Sequence, residues 1–226
     1  MQTAKPRAWS YSALAQFETC PKQHWHYRVK KDVKDTGNAD SQYGEYVHKA
    51  LAAYCMKGKP LPLDVAHMEK FAKQYKEAKT TERYAEVQIA IDANMEQTGW
   101  FDDDVYCRVI IDLLLVNDDF AMLVDWKTGK MKPDEEATQL SLSACVLMMV
   151  KPNINRVVMR YVWTKHGGKP TQFTLRREDI PRVWNSLAPR IQRYQNAYAN
   201  DEFPANPSGL CRKWCPVTSC PHNGST

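Results

Sequence analysis

Apolar positions fall along this chain in two periods, one suited to strands and one to helices. Residues 109–130, VIIDLLLVNDDFAMLVDWKTGK, hold two runs rich in Val, Ile and Leu around a polar break at Asn117-Asp118-Asp119. Runs this short predict a β-hairpin, not two helices. Neither alternates cleanly, which predicts strands covered on both faces in mid-sheet. Residues 86–91 alternate and predict a further strand, and 155–164 and 171–175 predict two more around a His166-Gly167-Gly168 turn.

Helical spacing appears elsewhere. Ser10 caps a short helix that stops near Cys20-Pro21. Residues 44–57 place Val47, Leu51, Tyr54 and Cys55 on one side, and Pro60 and Pro62 end that helix. Residues 64–79 predict a very polar helix in a solvent-facing insert, with polar stretches at 33–41 and 94–104. Pro133, Asp134, Glu135 and Glu136 open a helix in which Leu140, Ala144, Leu147 and Met148 pack. A long helix over 178–200 is bent at Pro189. This order predicts an α/β fold, a central sheet flanked by helices.

Into the apolar hairpin the sequence sets Asp112, Asp125 and Lys127. Loop length decides whether the acids meet. An even loop, Asp118-Asp119 or 117–120, puts Asp112 opposite Asp125; a three-residue loop sends Asp125 to the other face. In the even register the carboxylates stand roughly 5 Å apart at Cβ. Two buried like charges at that distance need a shared proton or cation. Lys127, two residues on, projects from the face of Asp125. An ion-paired turn would explain the D-x-K triplet alone; a second aspartate in mid-strand among Ile and Leu favours a divalent metal.

Composition is that of one substantial soluble domain of 226 residues with a net charge of +5, which permits nucleic-acid binding without requiring it. No run reaches a membrane span, and the first ten residues lack the apolar segment of a signal peptide. Basic residues gather at both ends: Lys5, Arg7, Lys22, Arg28, Lys30 and Lys31 at one, Arg212 and Lys213 at the other. In KQHWHYRVKKD aromatics interleave with cations; Trp25 and Tyr27 either stack bases or pack in the core. Seven cysteines, an odd number, suit a reducing compartment with a metal or cluster site. The tail carries Cys211, Cys215 and Cys220, and thiolates so spaced bind zinc or an iron–sulfur cluster. His222 completes a local zinc site; Cys20 completes a four-cysteine site.

Asp112, then Asp125-Trp126-Lys127-Thr128-Gly129, then Gln139 resembles the core of the PD-(D/E)xK nuclease superfamily. The chain is most similar to the RecB-like branch, which includes AddB and the CRISPR-adaptation nucleases, and the resemblance covers nearly all of it. It implies a restriction-endonuclease-like mixed sheet, with Mg²⁺ or Mn²⁺ held by Asp112, Asp125 and His48 of a G-x-x-x-H helix, and Trp126 among the metal-site residues. Lys127 then orients the attacking water, and Gln139 belongs to a Q-x-x-x-Y motif whose tyrosine position is Ser143 here. The matching strand often begins with a glutamate, which makes Glu86 a further candidate. The opening SYSALAQFETCP is similar to the first helix of these domains. It implies a [4Fe–4S] cluster on Cys20, Cys211, Cys215 and Cys220, although the late triplet of the family is usually C-x₂-C-x₅-C and here it is C-x₃-C-x₄-C.

The resulting expectation is a nuclease domain over 1–203, with a cysteine-rich tail over 204–226 packed on it. Its activity would be metal-dependent hydrolysis of DNA, as an exonuclease in replication, recombination or repair, in the cytoplasm of a bacterium or as a phage protein. Its partners would be single-stranded DNA or DNA ends, and a recombination or replication protein. The alternative is a non-enzymatic DNA-binding or scaffold protein that keeps the fold and the cysteine site.

Overall fold

The computed structural model describes residues 6–34, 37–131 and 133–224, the side chains of 133–137 excepted. In chain order the elements are β1 (Trp9–Ser10), α1 (Tyr11–Thr19), α2 (Pro21–Trp25), a π-helical turn (His26–Lys30), α3 (Ala39–Lys57), a 3₁₀ segment (Leu63–Met68) and α4 (Glu69–Lys76). Then follow β2 (Glu82–Ile91), β3 (Gln97–Thr98), β4 (Cys107–Val116), β5 (Phe120–Lys127), α5 (Pro133–Val150), β6 (Arg156–Trp163), β7 (Lys169–Arg176), α6 (Ile180–Asn200) and α7 (Leu210–Lys213). The chain divides into two compact units: residues 37–184, and the two ends, 1–36 with 185–226. The first helices thus cluster with the last segments of the chain.

In the larger unit the strand order is β3-β2-β4-β5-β6-β7. The β5–β6 pair is parallel and every other pair in that order is antiparallel, so the sheet is mixed, as expected. The parallel pair requires a crossover, which α5 provides. Leu113, Leu115, Val124, Trp126 and Val162 form one apolar face of the sheet and pack with Val47, Leu51, Tyr54 and Cys55 of α3 and Phe71, Ala72 and Tyr75 of α4. Fifteen buried residues make up this cluster, enough that losing one large side chain from it would cost about 2–5 kcal/mol.

Several sequence expectations are corrected here. Residues 64–79 are no solvent-facing insert. Val65, Met68, Ala72 and Tyr75 recur at helical spacing and are buried, while the lysines between them face water. Helix α3 begins at Ala39, inside the predicted polar loop, because Asn38 and Ser41 form a capping box (Ser41 N to Asn38 Oδ1, 2.9 Å). It ends on Gly58, in the left-handed conformation at φ 65°, before either proline is reached. The first half of β4 is not covered on both faces, since Ile110 is 48 % exposed.

In the smaller unit α1 begins where Ser10 Oγ accepts from Ala13 N at 3.2 Å, as expected of an N-cap. Trp25 and Tyr27 are partly exposed, and it is His24 and His26, alternating with them, that are buried. His24 lies between Gln16 Oε1 (3.2 Å) and Tyr198 Oη (2.8 Å). Burial, with Arg28 and Arg7 nearby, lowers its pKa to about 4, so it sits in the fold as a neutral imidazole. Glu18 is held by a two-pronged contact with Arg190 (2.7 and 2.6 Å).

Candidate metal centre

The hairpin takes the even register. Leu113 pairs with Val124 and Val116 with Ala121, around an Asp118-Asp119 loop closed by Asn117 and Phe120. Carried one residue further, this register sets Asp112 across from Asp125, but the ladder stops before that pair. In a strand the N–H and C=O of one residue point to the same side. Trp126 therefore turns both groups into the gap that opens beside β4. Its N–H donates to Asp112 Oδ2 (2.8 Å), and its carbonyl lies 2.6 Å from His48 Nε2. The other imidazole nitrogen, Nδ1, is 3.3 Å from Asp112 Oδ2. The Trp126 indole is buried on the opposite face against Tyr75, so only its peptide group belongs to the site.

His48 is delivered by α3, whose Gly44 passes close to the turn after β5. A Cβ at Gly44 would lie 3.1 Å from Thr128 Oγ1, which gives the glycine of G-x-x-x-H a packing reason. Burial alone would lower the His48 pKa. Asp112, by hydrogen bond and charge, together with Asp125 and the Trp126 carbonyl, raises it to about 9.

Asp125, 8 % exposed, has its carboxylate pushed well above the usual range by burial and by Asp112, against the pull of Lys127 and His48. Lys127 Nζ is 3.0 Å from Asp125 Oδ1, an ion-pair contact off the hydrogen-bond direction, so that oxygen has a charge partner but no aligned donor. The same ammonium donates to Gln139 Oε1 at 3.4 Å and stands 5.0 Å over the Tyr161 ring. Tyr161 pairs with Asp125 across the parallel strands. Sequence reasoning missed it, because nothing in the chain's spacing signals a neighbour that only β5–β6 pairing provides. Ser143 turns back onto its own helix, Oγ donating to the Gln139 carbonyl at 3.2 Å.

Glu86 is where β2 departs from regular geometry. Ala85 pairs with Leu113 and Val87 with Ile111, but Glu86 between them has φ 52°, a left-handed conformation costly for a non-glycine residue in a strand. The kink faces Asp112. His48, Glu86 and Asp112 each bring a donor atom to within 4.8 Å of one another. The carboxyl of Glu86 is raised by burial and by Asp112. One imidazole and two carboxylates form a donor set suited to a divalent cation, and Asp125, beside them, adds an oxygen without an aligned donor. The residues present therefore fit a cation; of the expected His48, Asp112 and Asp125, the first two fall in this grouping with Glu86, and Asp125 stands outside it, within charge reach of Asp112 and His48.

In the smaller unit, Cys20, Cys211, Cys215 and Cys220 line one small cavity together with Gln23, His222 and Val217. All four thiols are free. Three of them accept N–H groups: Cys20 from Asn206 N (3.5 Å), Cys211 from Ser208 N (3.5 Å) and Cys215 from Gln23 Nε2 (3.7 Å).

The model of the PD-(D/E)XK nuclease superfamily matches residues 8–221, and the chain belongs to that superfamily. Its fold is similar to that of a protein provisionally named an exonuclease from Eubacterium rectale, at 11 % identity and a TM-score of 0.51, over 89 % of this chain and 85 % of that one. The crystal structure of SSO0001 is matched at 12 % identity and a TM-score of 0.44, over 99 % of this chain and 89 % of that one. No curated protein sequence matches.

Proposed function

We propose that the protein is a metal-dependent deoxyribonuclease, acting as an exonuclease of the RecB-like branch in DNA replication, recombination or repair. The observation that carries this reading is the Trp126 peptide, clamped by Asp112 and His48 beside an Asp125–Lys127 pair. His48, Glu86, Asp112 and Asp125 would hold Mg²⁺ or Mn²⁺. Bound there, a divalent cation lowers the pKa of a coordinated water and offsets phosphate charge. Asp112 fixes the Trp126 peptide, and with it the direction in which β5 presents Asp125. Lys127, steered by Asp125, Gln139 and the Tyr161 ring, holds an ammonium where an attacking water can be oriented and where developing negative charge can be neutralised. The test is cleavage of end-labelled single- and double-stranded DNA with Mg²⁺ or Mn²⁺. Release of mononucleotides that stops with EDTA and in Lys127→Ala supports the reading; intact DNA under every condition overturns it and leaves the non-enzymatic DNA-binding protein.

The four-cysteine cavity supports a second element of the reading. Cys20, Cys211, Cys215 and Cys220 would hold a [4Fe–4S] cluster, the arrangement of AddB and the CRISPR-adaptation nucleases. The presence of Cys20 beside the tail triplet favours this over zinc on the triplet and His222. Free thiols throughout suit a reducing, cytoplasmic setting.

A further inference from the structure

The face of β4 that carries Asp112 continues to an exposed Ile110 and a partly exposed Arg108, the latter opposite a buried Ala90. Side chains alternate along a strand, so Arg108 and Ile110 share the face of Asp112, while Val109 and Ile111 between them are buried. Across from them on β2 stand Ala90 and Gln88, and Glu86 lies opposite Asp112. Ile110 is half exposed in mid-strand, an apolar side chain open to contact beside Asp112. Arg108 is braced at the end of the row: its Nε donates to the Trp100 carbonyl (2.8 Å) and its guanidinium stands 5.6 Å over the Trp100 ring. Among the described residues no acid pairs with it by salt bridge.

We propose that this row is the track for the nucleic-acid strand next to the scissile phosphate, with Ile110 against a sugar or base and Arg108 on the phosphate two nucleotides along. The proposal rests on the nuclease reading of the acid site. Successive same-face residues stand about 6.6 Å apart, comparable with the spacing of nucleotides in an extended single strand. Asp112 and Arg108, two such steps apart, are thus in step with phosphates two nucleotides apart, with Ile110 at the nucleotide between them. A cation with an aromatic brace beside an apolar contact is the chemistry of single-strand binding. The loop that carries Trp100 continues into Asp102, Asp103 and Asp104, whose charge repels a polyanion and bounds the track at that end.

The test separates binding from chemistry. Fluorescence anisotropy with a labelled single-stranded oligonucleotide, in Ca²⁺, gives affinity and its salt dependence. Arg108→Ala is expected to weaken binding about tenfold and to lower the log–log salt slope by about 0.7. Arg108→Lys should restore the slope, and Ile110→Glu should weaken binding by a similar factor. Hydrolysis of thymidine 5′-monophosphate p-nitrophenyl ester in Mn²⁺, a substrate too short for the track, should be unchanged in all three variants. Wild-type affinity and slope in Arg108→Ala overturn the track and leave the nuclease reading standing. Equal loss on the short ester also overturns it, by assigning Arg108 a structural role. Binding that depends on Arg108 in a protein that cleaves neither substrate removes the nuclease reading and keeps the track.

Discussion

The acid site and the cysteine cavity are built in opposite ways. At the acid site the aspartates already have protein partners: Asp112 meets His48 and the Trp126 N–H, and Asp125 meets Lys127. Its side chains come from α3, β2, β4 and β5, which a buried apolar cluster holds in place. At the cysteine cavity the thiols stand on a loop and one short helix, with long N–H···S contacts as their only hydrogen bonds among those described. The difference is between a site that the fold pre-forms and a site that a metal would finish. Removing a ligand should cost catalysis at the first and stability at the second.

The largest effect is expected where that contrast is sharpest. Asp125→Asn and Lys127→Ala should each lower DNA cleavage about 100- to 1000-fold, measured as initial rates on labelled DNA, with the fold retained. Asp125→Asn should even raise the melting temperature at pH 8. The carboxyl pKa is raised in the fold, so ionising it there costs more than in the unfolded chain. That cost is absent below its ordinary value and grows as pH rises toward about 6. Unchanged cleavage in either variant would remove these residues from the chemistry.

Cys20→Ser should do the reverse. Loss of one ligand from a site that joins residue 20 to the tail should lower the melting temperature by several degrees, about 2–4 °C for each kcal/mol lost. Anaerobically purified wild type should be brown and contain iron and sulfide, and Cys20→Ser should be bleached. Zinc in both proteins, without iron, would make the tail a local site independent of Cys20.

Proton release gives a smaller but sharper measure of the acid site. His48, raised to about 9, is protonated at neutral pH, and an imidazole must lose its proton to bind a cation. Mn²⁺ binding at pH 7.5 should therefore release about one proton, seen by calorimetry in buffers of different ionisation enthalpy. Affinity should rise with pH up to about 9, and it should weaken further below about 6 as Asp125 takes up a proton. His48→Ala should abolish the release; a release that survives it would take His48 out of the ligand set.

The smallest effect separates strain from function at one position. Glycine suits φ 52°, so Glu86→Gly should stabilise the protein by about 1 kcal/mol while weakening Mn²⁺ binding. Denaturant midpoint and metal affinity would then move in opposite directions. A loss of stability with unchanged affinity would make Glu86 a structural residue.

Much of the acid site was legible because aspartate in an apolar strand is expensive, and two of them near a lysine need a reason. The loop length left two registers open, and the even one is adopted. Ser143 signalled a departure, and Tyr161 now stands against Lys127 from a strand far along the chain. The stretch Leu63–Lys76 was misread because Lys70, Lys73 and Lys76 recur at helical spacing beside its apolar stripe, and only packing shows which side is covered.

By itself the sequence determined the strand and helix blocks, the acid pair on the central hairpin and the late cysteine triplet, since each depends on local period and residue chemistry. Tertiary structure alone decided that β4 and β5 part at Asp112 and leave the Trp126 peptide to His48, that β2 kinks to bring in Glu86, and that Cys20 lines the cavity of the tail. These depend on contacts between segments tens to hundreds of residues apart, whose register and approach are set by sheet pairing and core packing and leave no periodic mark on the chain.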